Sequence, residues 1–90
     1  MIFAWRSEKS STNEEKHGLA LSVGVLVWSD DHAIVLPATS RADEKREMLV
    51  GIVDDRVISE VFIVRQDVTR IISVRSASRQ ERRRYREING

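Results

Sequence analysis

Three apolar runs follow one another with only short polar breaks between them: EMLVGIV (47–53), VISEVFIV (57–64) and RIISVRS (70–76). The breaks, DDR and QDVT, are of hairpin length, whereas a crossover between parallel strands takes a dozen residues or more. This half of the chain is therefore expected to fold as antiparallel strands. The second run is nearly all apolar, as suits a strand buried at the centre of a sheet. In the third, Ile72 and Val74 are expected on one side and Ile71, Ser73 and Arg75 on the other. Phe62, Val64, Ile72 and Val74 are the residues expected on the helix-packed face.

The flanking segments supply helices. IFAW can open the fold as a short strand, and Ser7 stands as an N-cap, with Glu8 in the first turn, for a polar helix over about 8–17. Lys16 and His17 fall in its last turn, where cations suit the helix dipole, and Gly18 fits the left-handed position after it. Residues 19–28, LALSVGVLVW, are ambiguous. They alternate like a strand, yet Leu21, Val25 and Trp28 share one helical face. SDDH breaks the pattern and AIVL reads as a strand that Pro37 ends or places at a sheet edge. PATSRADEK (37–45) reads as a polar loop. SRQE, Ser78 to Glu81, matches a capping box for a last helix over about 79–88. The expectation is a single α+β domain over 1–90: a mostly antiparallel sheet of four or more strands, with N-terminal and C-terminal helices packed on it.

With 90 residues, 41 % of them hydrophobic, the chain supports one modest core. It has no cysteine and only two histidines, His17 and His32. A disulfide framework and a thiolate metal site are thus excluded, and a zinc site is poorly supplied. No metal or cofactor is expected. No run of about 18 apolar residues is present, so the protein is expected to be cytoplasmic, with no membrane contact. The net charge is only +1, but residues 1–64 hold 7 basic against 11 acidic side chains, a balance of −4, and residues 65–90 hold 8 against 3, a balance of +5. All eight of the latter are arginine, the residue suited to bidentate phosphate contacts and stacking on bases. An anionic partner is implied, nucleic acid first and an acidic protein second.

Three motifs carry a resemblance. The first is Phe3, Trp5, Lys9, Asn13 and Lys16-His17-Gly18; the second is Glu44-x-Arg46 followed by Gly51; the third is RIISVRSASRQERRRY (70–85). In order and spacing they resemble the BrnT toxin family, within the RelE-like group of small ribonucleases. Arg6, where the family usually has an acidic residue, Leu21 in place of an aromatic and Val74 in place of alanine depart from the pattern. The resemblance implies a RelE-like fold, with helix over 20–28. It also implies a toxin of a type II toxin–antitoxin pair that cleaves RNA without metal, by attack of the ribose 2′-OH on the adjacent phosphate. The implied partner is a BrnA-like ribbon-helix-helix antitoxin, with two toxins on an antitoxin dimer and operator DNA contacted only through that antitoxin.

Such a reaction needs a base, an acid and cations around the phosphate. Arg75 is the first candidate for the phosphate clamp, then Arg46 and Arg70. Each has a plainer reading: a sheet-edge ion pair for Arg75, a pair with Glu44 or Glu47 for Arg46, a solvated strand start for Arg70. His17 is either a proton carrier or a helix-end residue bonding a final carbonyl. Tyr85 is either a proton donor or stacking platform, or the apolar anchor of the last helix. Lys9, Lys16, Arg65, Arg79, Arg82, Arg83 and Arg86 are candidate RNA contacts, the last four alternatively a solvated face or an antitoxin dock. Trp5 and Trp28 are expected in the core. The rival to the ribonuclease is an inactive module, a decayed toxin that binds nucleic acid or a partner without cutting. A DNA-binding regulator ranks last, because no helix-turn-helix spacing is present.

Overall fold

A computed structural model of the chain describes residues 1–40 and 44–90. In chain order it comprises β1 (Ile2–Ala4), α1 (Ser7–His17), α2 (Val23–Val27), β2 (Ile34–Pro37), β3 (Glu47–Val53), β4 (Arg56–Arg65), β5 (Val68–Ser76) and α3 (Arg79–Asn89). The strands form one sheet in the order β1-β5-β4-β3-β2, antiparallel throughout except that β1 pairs parallel with β5. The fold is α+β as expected, and β4, the strand expected to be central, lies at the centre of the sheet. Pro37 closes the edge strand β2. The polar loop expected over 37–45 falls partly at 41–43, outside the described residues.

Both hairpins turn in two residues. Asp54 (φ 47°) and Asp55 (φ 67°) link the pair Val53↔Arg56, and Gln66 (φ 52°) and Asp67 (φ 64°) link Arg65↔Val68. Two successive left-handed residues match the right-handed twist of the flanking strands, and Asp tolerates that conformation better than most side chains. The alternation expected along β5 does not hold. The register steps from Val61↔Ser73 to Phe62↔Ile71, leaving Ile72 without a partner in the ladder as a bulge. Ile71 (1 % exposed) and Val74 (0 %) therefore both enter the core, three residues apart, while Ile72 is only half-buried. Phe62 is buried as expected, but Val64 lies near the end of β4 and is 59 % exposed.

Ser7 does not cap α1. It is already helical, and the cap is Arg6, extended and without a side-chain cap bond. Gly18 ends the helix at φ 75°, its N–H donating to the Glu14 carbonyl. Helix, not strand, forms after it, but α2 is shorter than 20–28. Bonds of the i to i+3 kind, such as Gly24 N–H to Leu21 O and Ser29 N–H to Leu26 O, wind the segments on either side. The capping box of α3 forms in full between Ser78 and Glu81.

Two apolar clusters pack on opposite faces of the sheet. Leu19, Leu21 and Val27 meet Leu49, Ile58, Phe62, Ile71 and Val74 on one face; Tyr85 and Ala77 meet Ile34 and Val50 on the other. Trp28 joins the first cluster, its ring 5.0 Å from Phe62 and 5.9 Å from Phe3, whereas Trp5 is 38 % exposed and not core. Glu60, central on β4 and 1 % exposed, lies in this apolar layer. Its Oε2 accepts a 3.2 Å bond from the Trp28 indole, and its Oε1 has no partner among the described residues. Burial pushes its carboxyl up to about 8.

α1 lies along β5 beyond the end of β1. There Asn13, itself buried, accepts from the Val74 N–H at 3.2 Å and donates to the carbonyls of Val74 (2.7 Å) and Leu19 (2.6 Å). Asn13→Ala leaves one buried N–H and two carbonyls unpaired. It is expected to cost roughly 2–4 kcal/mol, seen as a lower midpoint in denaturant; an unchanged midpoint would refute the bracing role. Glu60 gives a second test. Its folded-state value lies above the ordinary 4.5, so stability present below that value is lost as pH rises through about 8. Glu60→Gln is expected to flatten the stability profile between those limits and to match or exceed wild type at the alkaline end.

Candidate nucleic-acid cleft

Strand register gathers cations at one end of the sheet. Arg65 closes β4 and Arg70 follows within β5 after the two-residue turn, facing Ile63 across the ladder. The parallel pairing Ala4↔Arg70 sets the start of α1, with Arg6 and Lys9, beside the same point. Arg46 immediately precedes β3, whose first pair is Glu47↔Phe62, so it arrives next to Ile63 from the other side. The result is a cleft of about 210 Å³ lined by Arg6, Lys9, Glu44, Arg46, Arg65 and Arg70 with Ile63, Ile71 and Ile72. Five cations and one carboxylate line it, and positive charge focused in a concave surface raises the local concentration of anions.

Glu44 pairs with Arg65 at 3.1 Å, not with Arg46. The Arg46 backbone N–H donates to Ser40 Oγ at 3.1 Å, which steadies the approach to β3. Its half-buried side chain carries an Nε–H that is shielded from solvent and has no partner among the described residues. A buried donor left unpaired is costly. Lys9, Glu44, Arg46 and Arg70 come from three separate motifs of the sequence, and the fold brings them to one place. Arg65 lines the same cleft. Arg6 was missed by the sequence reading, in which it figures only as a departure from an acidic position.

Arg75 is held elsewhere on the same sheet face. Its β4 partner is Ser59, four residues from Ile63, a separation of roughly 13 Å along the strand. Both terminal nitrogens bond Glu81 at 2.8 Å. Glu81 Oε1 also accepts from the Ser59 hydroxyl and the Ser78 N–H, each at 2.8 Å. The Arg75 guanidinium, ahead of the cap and hydroxyl bonds, holds the Glu81 carboxyl down at about 2, and Glu81 in turn raises Arg75. The capping box was the available signal, since it sets Glu81 at the helix start a few residues after Arg75.

Tyr85 is buried beneath α3, its hydroxyl donating to Asp30 Oδ2 at 2.6 Å; burial and that carboxylate push it up to about 12. Lys16 and His17 are exposed at the far end of α1, roughly 10 Å or more from Lys9 along the helix. Arg79, Arg82, Arg83 and Arg86 line a shallow groove of their own on α3 with Glu87. Arg82 also donates to the Ala77 carbonyl at 2.7 Å. Among the described residues, no three His, Asp or Glu side chains form a metal-binding group.

The Glu81 network predicts an acid limb. Because its folded-state carboxyl lies below the ordinary 4.5, the stability it contributes is present above that value and lost as pH falls towards about 2. Arg75→Ala is expected to cost about 1–2 kcal/mol at neutral pH after allowance for screening at a third-exposed arginine. Acid unfolding followed by circular dichroism should begin at higher pH in this variant; a superimposable acid limb would contradict the network.

The described residues include no helix long and apolar enough to cross a membrane. A comparison with curated proteins gives no match. Among protein families, the one described as ribonuclease toxin, BrnT, of type II toxin–antitoxin system matches residues 5–81. That span takes in Arg6, Lys9 and every other residue of the cleft, and the chain belongs to this family of ribonuclease toxins.

Proposed function

We propose that the chain is a metal-independent endoribonuclease whose cleft holds one RNA phosphodiester while the neighbouring ribose 2′-OH attacks it. The observation that carries this reading is the gathering of five cations, Arg46 among them, along one cleft. Charge accumulates on the phosphoryl oxygens as the 2′-oxygen adds, and fixed guanidinium donors aimed at that charge lower the barrier. Arg46 and Arg70 are assigned this role; Arg6 holds an adjoining phosphate, and Arg65 is paired with Glu44. Arg75, fastened to Glu81, is assigned to joining β5 with α3, and Tyr85 to anchoring that helix. Lys16, Arg79, Arg82, Arg83 and Arg86 are assigned to the flanking RNA backbone.

The family implies an antitoxin. We take it to be BrnA-like, a ribbon-helix-helix dimer carrying two toxins and alone contacting operator DNA, with both proteins acting in the cytoplasm. The binding-only reading draws support from His17 and Tyr85, which both lie outside the cleft.

One experiment separates the readings. Wild type should cut RNA in excess EDTA and leave 2′,3′-cyclic phosphate ends. Arg46→Ala should lower the rate roughly a hundred- to thousandfold with a much smaller loss of affinity. The Arg83/Arg86 double alanine variant should instead weaken binding and shallow its salt dependence by about one unit of slope per arginine. Activity lost on chelation and restored by magnesium would sink the metal-free mechanism. Binding without cleavage by wild type would establish the inactive module.

A further inference from the structure

We propose that Glu44 is the base that takes the proton from the attacking 2′-OH, and that Lys9 is the acid that protonates the departing 5′-oxygen. The assignment rests on the ribonuclease reading above. Two-step proton traffic needs groups that can exchange protons, and most of the cleft cannot supply it. Its four arginines stay charged through any accessible pH, and Ile63, Ile71 and Ile72 carry no exchangeable side-chain proton. Among the described residues lining the cleft, that leaves one carboxylate and one ammonium, Glu44 and Lys9. The two groups that chemistry alone would favour are committed or remote. The Tyr85 hydroxyl is buried on Asp30, and His17 stands exposed at the other end of α1.

Glu44 comes from the segment leading into β3, and Lys9 from the first turn of α1, so they reach the cleft from different elements. Arg65 grips one oxygen of Glu44 at 3.1 Å, and the Glu44 side chain is 41 % exposed. A carboxylate has lone pairs to spare for a second donor, and the pair with Arg65 orients it. Arg65 is thus a positioning residue.

The step balances without a co-reactant. The 2′-O–H proton passes to Glu44 as the O2′–P bond forms. The P–O5′ bond breaks, and O5′ takes a proton from Lys9. The products are a 2′,3′-cyclic phosphate and a 5′-hydroxyl, with Glu44 protonated and Lys9 neutral. Transfer of one proton from Glu44 to Lys9 through solvent restores the starting state.

The test compares an oligoribonucleotide with its analogue carrying sulfur in place of the bridging 5′-oxygen, a leaving group that needs no protonation. Glu44→Gln should cut both substrates about 10²- to 10⁴-fold more slowly, yet bind the uncleavable 2′-O-methyl oligonucleotide as tightly as wild type or more so. Lys9→Met should be slowed to a similar degree on the oxygen substrate and return to within about tenfold of wild type on the sulfur one. Arg65→Met should lose less than Glu44→Gln and equally on both substrates. A merely structural role for Lys9 gives no sulfur rescue, and that outcome overturns its assignment. Glu44→Gln cutting at the wild-type rate overturns the base while leaving the ribonuclease intact. Failure of wild type to cut either substrate overturns the ribonuclease reading and the assignment with it.

Discussion

The outer strands are too short for the strands they flank, and the fold depends on what replaces them. β1 offers three residues to the nine of β5, and β2 four to the seven of β3. Each uncovered length exposes backbone donors and acceptors that a small domain cannot afford to bury unpaired. Asn13 answers for Val74 on one side. On the other, Asp30 Oδ2 accepts the Ile52 N–H at 2.8 Å together with the Tyr85 hydroxyl. Two side chains thus stand where strand backbone would otherwise run, and each also fixes a helix: Asn13 belongs to α1, and Asp30 receives α3 through Tyr85. The close packing this requires is visible at Gly51, where an added Cβ would come to 3.1 Å from Asp30 Oδ2 and 3.0 Å from Val27.

Much of this was legible in sequence because it is local. Hairpin lengths, the capping box at Ser78 and the left-handed Gly18 depend on a few adjacent residues, and all three appear as expected. The bulge at Ile72 was not legible, because it is a property of pairing between β4 and β5, and alternation counted within β5 alone put Ile71 on the wrong side. Ser7 failed as a cap for a similar reason: the chain leaves β1 already directed into the helix at Arg6, so a good capping residue stands one position too late. The helix after Gly18 came from the family resemblance, since five apolar residues in alternation and three at helical spacing describe the same ten positions.

The site was legible in its residue types and not in their division of labour. Eight arginines after residue 64 read as one basic segment, yet they separate into three groups. Arg65 and Arg70 enter the cleft, Arg75 is spent on Glu81, and of the five on α3 all but Arg84 line a groove of their own. Arg75 stood first among the candidates, but a guanidinium with both ends bound to one carboxylate has fewer donors for a phosphate. Arg6 and Glu44 gained their place only through pairings between β1 and β5 and between β3 and β4.

The parallel pairing of β1 with β5 joins residues 66 positions apart, Ile2 to Val68. The β3–β4–β5 meander closes through two-residue turns, whereas this contact closes a long loop at a greater entropic cost. On the ribosome the contact must also wait. Arg6 and Lys9 are translated first, but no wall exists for them to face until Arg65 and Arg70 have emerged, some sixty residues later. A nascent chain therefore carries no assembled cleft until β4 and the first half of β5 have followed α1 out of the ribosome.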